Sequence, residues 1–268
     1  LVLCDQPPTP EEIRQTANDH AQEFPLQGIM PMQVHDFQGR VVFRAPGMSG
    51  DVAAQEEQLR YLMAFHRGHS RKVTVAGAIN PIRRTIASEY LVSDETVLEL
   101  LRDSPFIPRG HEYIFARAIC HFLAGEDIEA VLLLTPQLEN SLRHILALKG
   151  HDTTSANADG IQTEASLSIL LNTDRPWRNL LEQIIPARYI HEIDLLFNFS
   201  GGPSVRNQVA HGKVPAAGFW DHDFVYAAWI IIHLAILPMA RRWGNVEEIF
   251  ARVTGLYRAA DVDEGAEQ

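Results

Sequence analysis

A chain of 268 residues, 46% hydrophobic and 21% charged, is long enough to bury one large core or two small ones, and its balance excludes a disordered polymer. The formal net charge of −11 excludes a broad nucleic-acid-binding surface, because non-specific affinity comes from neutralising phosphates with Lys and Arg; any RNA contact must be local. Two cysteines, Cys4 and Cys120, exclude a disulfide framework and a thiolate metal site, and with no targeting segment legible at the start the expected location is a reducing cytoplasm.

In chain order, Thr9-Pro10-Glu11-Glu12 predicts a helix start, with the helix running to about His20. Two β-prone runs, Ile29 to Val34 and Arg40 to Arg44, flank a Gly-containing loop and predict one small hairpin near residues 29–44. Asp51 caps a helix to about Arg67, with Leu59, Leu62, Met63 and His66 on one face. His66 and His69 have no carboxylate or further ligand at a useful distance, so they are read as a surface or packed pair rather than a metal site. Val73 to Leu91 again has helical spacing, and Pro81 predicts a kink or a division into two helices. Ser93 caps a short helix through Arg102, and the turn Ser104-Pro105-Phe106-Ile107-Pro108 launches a core helix from Arg109 to Ala124.

Gly125 is the expected boundary between a mainly helical N-terminal region, 1–125, and a helical domain, 126–260. Asp127 to Lys149 reads as one long helix bent at Thr135-Pro136, or as two, and Gly150 stops it. Glu139 and Arg143 share a face at ion-pair spacing; the pair either lies on a solvated face or turns across the bundle toward Arg206. His151 to Ile161 is a polar loop, and helices follow at about Thr163 to Leu171, Pro176 to Ile185 and Pro186 to Asn198. Asp221 caps an apolar helix from Phe224 to about Arg242; its central stretch, interrupted by His233, is read as a bundle core and not a membrane span. An acidic tail, 261–268, ends the chain. The fold class is all-α.

Between the last two helical regions stands Gly201 to Gly212, GGPSVRNQVAHG. Two glycines break the preceding segment, Pro203 or Ser204 can open a helix, and Gly212 can close it. At about 100° per residue Asn207 and His211 lie one turn apart on the same face, with Arg206 on their flank. First-turn N–H groups favour an anion, so the spacing points to phosphate handling beside a proton-transfer group; a His that merely caps the helix end is the bland alternative.

Arg206-Asn207-Gln208-Val209-Ala210-His211 resembles the Arg, polar residue, spacer, His pattern of the HEPN superfamily. The longer Arg-Asn-x-x-x-His-Gly form and the upstream block Pro136-Gln137-Leu138-Glu139-Asn140-Ser141-Leu142-Arg143 are similar to an uncharacterised branch of it. The resemblance covers residues 126 to 240 and implies a HEPN-like helical bundle with Arg206, Asn207 and His211 as catalytic residues and Glu139 and Arg143 in support. It also implies a homodimer that joins two such motifs, RNA or a nucleotide as partner, no membrane, and no metal or cofactor. Two functions follow from it: a metal-independent endoribonuclease, or a non-catalytic scaffold that binds RNA, a nucleotide or a protein.

Overall fold

The structure, a computed structural model, describes residues 6–25, 31–47, 51–156 and 160–240, and the expected acidic tail lies outside them. The fold is all-α with two short β-hairpins. Helix α1, Pro10–Glu23, opens on a reciprocal capping box in which the Thr9 hydroxyl accepts from the Glu12 N–H and the Glu12 carboxylate from the Thr9 N–H. Strands β1, Met32–His35, and β2, Val41–Ala45, pair antiparallel with Val34 opposite Phe43 and a register shift after Val34. The Asp36 carboxylate closes their turn by accepting from the Gln38 and Arg40 N–H groups.

Helix α2, Val52–Thr74, runs well past the predicted end at Arg67. A π turn, Val75–Ile79, carries it without a break into α3, Asn80–Glu89. Pro81 has no N–H to give the ladder, and the wider turn absorbs that defect: the Asn80 N–H reaches the Val75 carbonyl, five residues back. The expected division is therefore one continuous helical rod with a π turn ahead of the proline. His66 packs edge-on against the His20 ring of α1.

After α4, Asp94–Leu101, comes α5, Glu112–Ala124, which starts three residues later than predicted because Gly110 has a left-handed backbone. Gly125, also left-handed, turns the chain directly into α6, Asp127–Leu148, a single helix that contains Pro136. One apolar core runs unbroken across that turn, from Val75 through Phe115 and Phe122 to Leu138, Ile190 and Ile231.

The segment read as a loop forms a second hairpin, β3, Thr154–Ala156, with β4, Gln162–Glu164. The Ser155 and Thr163 hydroxyls lie opposite each other at 3.2 Å, a cross-strand pairing that claims residues assigned to a helix start. Only α7, Leu167–Leu170, remains of the helix expected there. Then follow α8, Pro176–Ile184, and α9, Ala187–Ile193, with a π turn over Asp194–Asn198. Helix α10, Val205–Ala210, a 3₁₀ turn at Ala216–Trp220, and α11, His222–Ala240, complete the described chain.

Helix α11 is long and apolar enough to cross a membrane, yet 72% of its candidate span is buried, packed on α2, α4, α5 and α6. A helix apolar on all sides belongs at the centre of a bundle. Its buried imidazole, His233, bonds through Nε2 to the Tyr189 hydroxyl of α9 at 2.8 Å. Buried ion pairs fix the surrounding rods. Arg83 grips Asp127 with two bonds of 2.5 and 2.9 Å, joining α3 to α6. Arg67 and Arg71 of α2 share Glu192 of α9 at 2.8 and 3.1 Å, and Arg71 also donates to Asp223 of α11 at 2.5 Å.

Burial holds the His233 imidazole down, to about 4 against an ordinary 6.5. Between those pH values the unfolded chain takes up a proton that the folded chain refuses, so stability falls as pH drops through this window. The loss from this one group is about 3 kcal/mol at full separation. Urea unfolding of the wild type and His233→Leu at pH 7 and pH 4 tests this: the variant, whatever its absolute stability, should show the smaller difference between the two.

Candidate functional site

The polypeptide reaches the motif through a tight stack of backbone. Asp194, at the start of the π turn, accepts from Arg60 at 2.8 Å, Arg178 at 3.0 Å and the Asn198 amide at 2.9 Å, which anchors this turn to α2 and α8. The Phe199 N–H returns to the Asp194 carbonyl. Gly202 then passes so close to the Leu195 carbonyl that a Cβ built on it would sit 2.3 Å from that oxygen. Only a glycine fits there, so the glycine pair is a packing requirement as well as a helix break.

Helix α10 differs from expectation at its start and agrees at its end. Ser204 holds a left-handed backbone, φ 47°, and its hydroxyl makes no capping bond; the serine cap predicted there is absent. Its carbonyl instead receives the Asn207 and Gln208 N–H groups. At the other end Gly212, φ 60°, occupies the left-handed position, with Gly212 N–H to Val209 and Lys213 N–H to Gln208, the paired bonds of a Schellman motif. That lock fixes where His211 leaves the helix.

Glu139 is the meeting point of the charged residues. One oxygen accepts from Arg143 Nη1 at 2.8 Å; the other accepts from the Leu167 N–H at 2.9 Å and from Arg206 Nη2 at 3.3 Å. Arg143 also donates to the Ala165 carbonyl and lies 3.0 Å from Glu164, so it fastens α6 to β4 and the start of α7. Of the two readings of the Glu139–Arg143 pair, the structure has the one turned across the bundle toward Arg206, whose guanidinium it meets while 40% of the Arg206 side chain stays exposed.

Asn207 and His211 are exposed, and neither side chain bonds to another group among the described residues. Asn207 borders a cleft of about 720 Å³ between the β1–β2 hairpin, α2, the Ser200–Ser204 turn and the start of α11. Arg206 and His211 do not line it. A single chain therefore joins Glu139, Arg143 and Arg206, leaves His211 exposed on the surface, and gives the cleft Asn207 of the three expected catalytic residues.

Sequence reasoning missed this cleft because its walls come from segments far apart in the chain. Asp36 lies behind its hairpin wall; the Arg40 N–H, against the opposing pull of burial and with help from the Gln38 N–H, holds the Asp36 carboxyl below its ordinary range, and Lys213 Nζ lies 3.6 Å away. At the far wall Asp221, His222 and Asp223 bring ligand-type atoms within 4.8 Å of one another. These groups have internal uses: Asp221 accepts from the Asp223 N–H at the helix start, and Asp223 pairs with Arg71. Two legible hints were Phe65, an aromatic residue off the Leu59, Leu62, Met63 and His66 stripe of its helix, and Phe37, an aromatic residue in a hairpin turn.

Comparison of the chain with protein-family models, with curated proteins and with solved structures finds no match. A functional reading therefore rests on the geometry together with the motif in the sequence.

Because Gly202 meets a backbone atom that no rotamer change can move, Gly202→Ala is expected to cost about 1–3 kcal/mol by overpacking. Gly77→Ala, in open space within the π turn, should be neutral or slightly stabilising. Thermal melts of the two variants beside the wild type decide the matter; equal melting temperatures would show that the Leu195 contact is not a constraint.

Proposed function

We propose that the protein is a HEPN-type endoribonuclease of the reducing cytoplasm that cleaves RNA as a homodimer, with its motif helix at the dimer interface. The observation that carries the reading is an exposed His211 imidazole with no internal partner, held by a Schellman lock one turn from an exposed Asn207. Imidazole is the side chain suited to moving protons near neutral pH. In the proposed reaction His211 of one subunit accepts the proton of an RNA 2′-hydroxyl as that oxygen attacks the adjacent phosphorus. The bond to the 5′-oxygen breaks, His211 of the partner subunit gives that oxygen a proton, and the products are a 2′,3′-cyclic phosphate and a 5′-hydroxyl. Asn207 positions the phosphate or the imidazole, and Arg206 balances the charge that develops on the phosphoryl oxygens. No metal or cofactor enters this reaction.

The pairing of Arg206 with Glu139 is compatible with that role on energetic grounds. Of the three bonds to Glu139, the one from Arg206 is the longest, 3.3 Å against 2.8 and 2.9 Å, and a half-exposed pair contributes only about 0–1 kcal/mol. A phosphate approaching from solvent competes for the guanidinium, while Glu139 keeps its other two partners and continues to aim it. The second reading, a non-catalytic scaffold for RNA, a nucleotide or a protein, draws on the same pair, since a neutralised Arg206 in a chain of charge −11 needs no substrate.

The test combines a cleavage assay on end-labelled single-stranded RNA with light scattering for the oligomer. The wild type should cleave as a dimer, a 2′-deoxy substitution at the scissile position should block cleavage, and His211→Ala and Arg206→Ala should each lower the rate about 10²–10⁴-fold. Variants as active as the wild type would end the catalytic reading, and a wild type that binds RNA without cutting it would establish the scaffold.

A further inference from the structure

The cleft bordered by Asn207 has a composition that the cleavage chemistry does not explain. Two large aromatic side chains on separate elements are left in the open along its walls: Phe37 at the hairpin turn is 47% exposed, and Phe65 on α2 is 56% exposed. Phe37 does not lie loose; its ring rests 5.9 Å from that of Phe224, and a Cβ on Gly218 would approach it at 3.1 Å. A supported yet uncovered ring is a platform for another flat group. Lys72, His35, His69 and His222 add polar groups around the same opening, beside the carboxylates of Asp36, Asp221 and Asp223.

Its inner lining is polar and incompletely used. Arg71 and Gln208 both line the cleft and both are more than nine-tenths buried, yet Arg71 Nη2 and Gln208 Oε1 have no hydrogen-bond partner among the described residues. One is a donor and the other an acceptor. Buried polar groups are ordinarily satisfied, and leaving one without a partner is costly. A ligand suited to this lining carries an acceptor and a donor on one edge of a planar ring, which is the edge chemistry of a nucleobase. Aromatic platforms with convergent polar groups are also how proteins hold unstacked bases.

We propose that this cleft, formed by the β1–β2 hairpin, α2, the Ser200–Gln208 segment and the start of α11, binds an unpaired nucleobase. Phe37 and Phe65 stack on it, and Gln208 and Arg71 meet its polar edge. The choice of ligand rests on the RNA reading above, because Asn207 joins the cleft to the motif helix; the base seated here is then a neighbour of the scissile phosphate. A free mononucleotide offers the same chemistry, so both sources are tested.

The experiment measures binding of uridine and adenosine 5′-monophosphates by calorimetry, and of a short fluorescein-labelled single-stranded oligoribonucleotide by anisotropy. The full chain is used as wild type, Phe65→Ala and Phe37→Ala. Both substitutions remove exposed rings, and circular dichroism confirms that each variant is folded. Each should weaken binding about tenfold, the size of one lost base–aromatic stack. Binding of the oligonucleotide alone identifies an RNA subsite, and binding of the mononucleotides as well identifies a free-nucleotide site; both outcomes uphold the cleft. Should the wild type bind none of the probes, or the variants bind as tightly as it does, the proposal is overturned, and cleavage that depends on His211 would survive that result. Conversely, aromatic-dependent binding in a protein that cuts no RNA keeps the cleft and removes the nuclease.

Discussion

Glu192 is enclosed between two guanidinium groups with no access to water, and the positions of three helices depend on it. Burial raises a carboxyl pKa, yet Arg67 and Arg71 together outweigh that effect and hold Glu192 below its ordinary range, so the charge persists inside the protein. An enclosed pair of this sort adds little net stability over a well-packed apolar substitute, but removing one member typically costs about 3–5 kcal/mol, because its partner is left charged and alone. Its value lies in register. Arg67 and Arg71 stand one turn apart on α2, and they meet α9 and the first residues of α11 only when all three rods are correctly aligned.

That alignment builds the candidate site from behind. Helix α9, fixed through Glu192, ends in the π turn whose Leu195 carbonyl receives Gly202, and Gly202 sets the angle at which the six-residue motif helix departs. On the opposite side Glu139 reaches from α6 to hold Arg206 and the Leu167 N–H together. The motif helix is too short to be stable alone. It persists because its entry is sterically fixed, its exit is closed by a left-handed glycine, and one guanidinium is tied to the neighbouring rod.

What could be read from the chain alone was whatever depended on close neighbours. Thr9 with Glu12, Asp51 and Ser93 mark helix starts through bonds spanning two or three residues, and all three caps are present. The all-α class, the hairpin near residues 29–44 and the glycine that ends the motif helix follow from similarly local rules. Features set by distant partners were not legible. Pro81 announced a break, but whether the chain would part or widen into a π turn depended on the core packed around it. Ser204 had the chemistry of a cap and was denied it by the backbone geometry that Gly202 imposes. The β3–β4 pairing, the bond from the Leu167 N–H to Glu139 and the walls of the cleft join residues from 6 to more than 100 positions apart, beyond any periodicity.

Helix α11 carries a consequence for how the polypeptide is made. Among the described residues, the elements packed on its apolar surface, from α2 to the 3₁₀ turn, all precede it in the chain. During synthesis, which proceeds from the N-terminus at about 5–20 residues per second, those helices have left the ribosome before α11 does. Of the described elements this greasiest segment thus emerges last, into a receptor already translated, which shortens the time it stands uncovered before chaperones, membranes or another nascent copy.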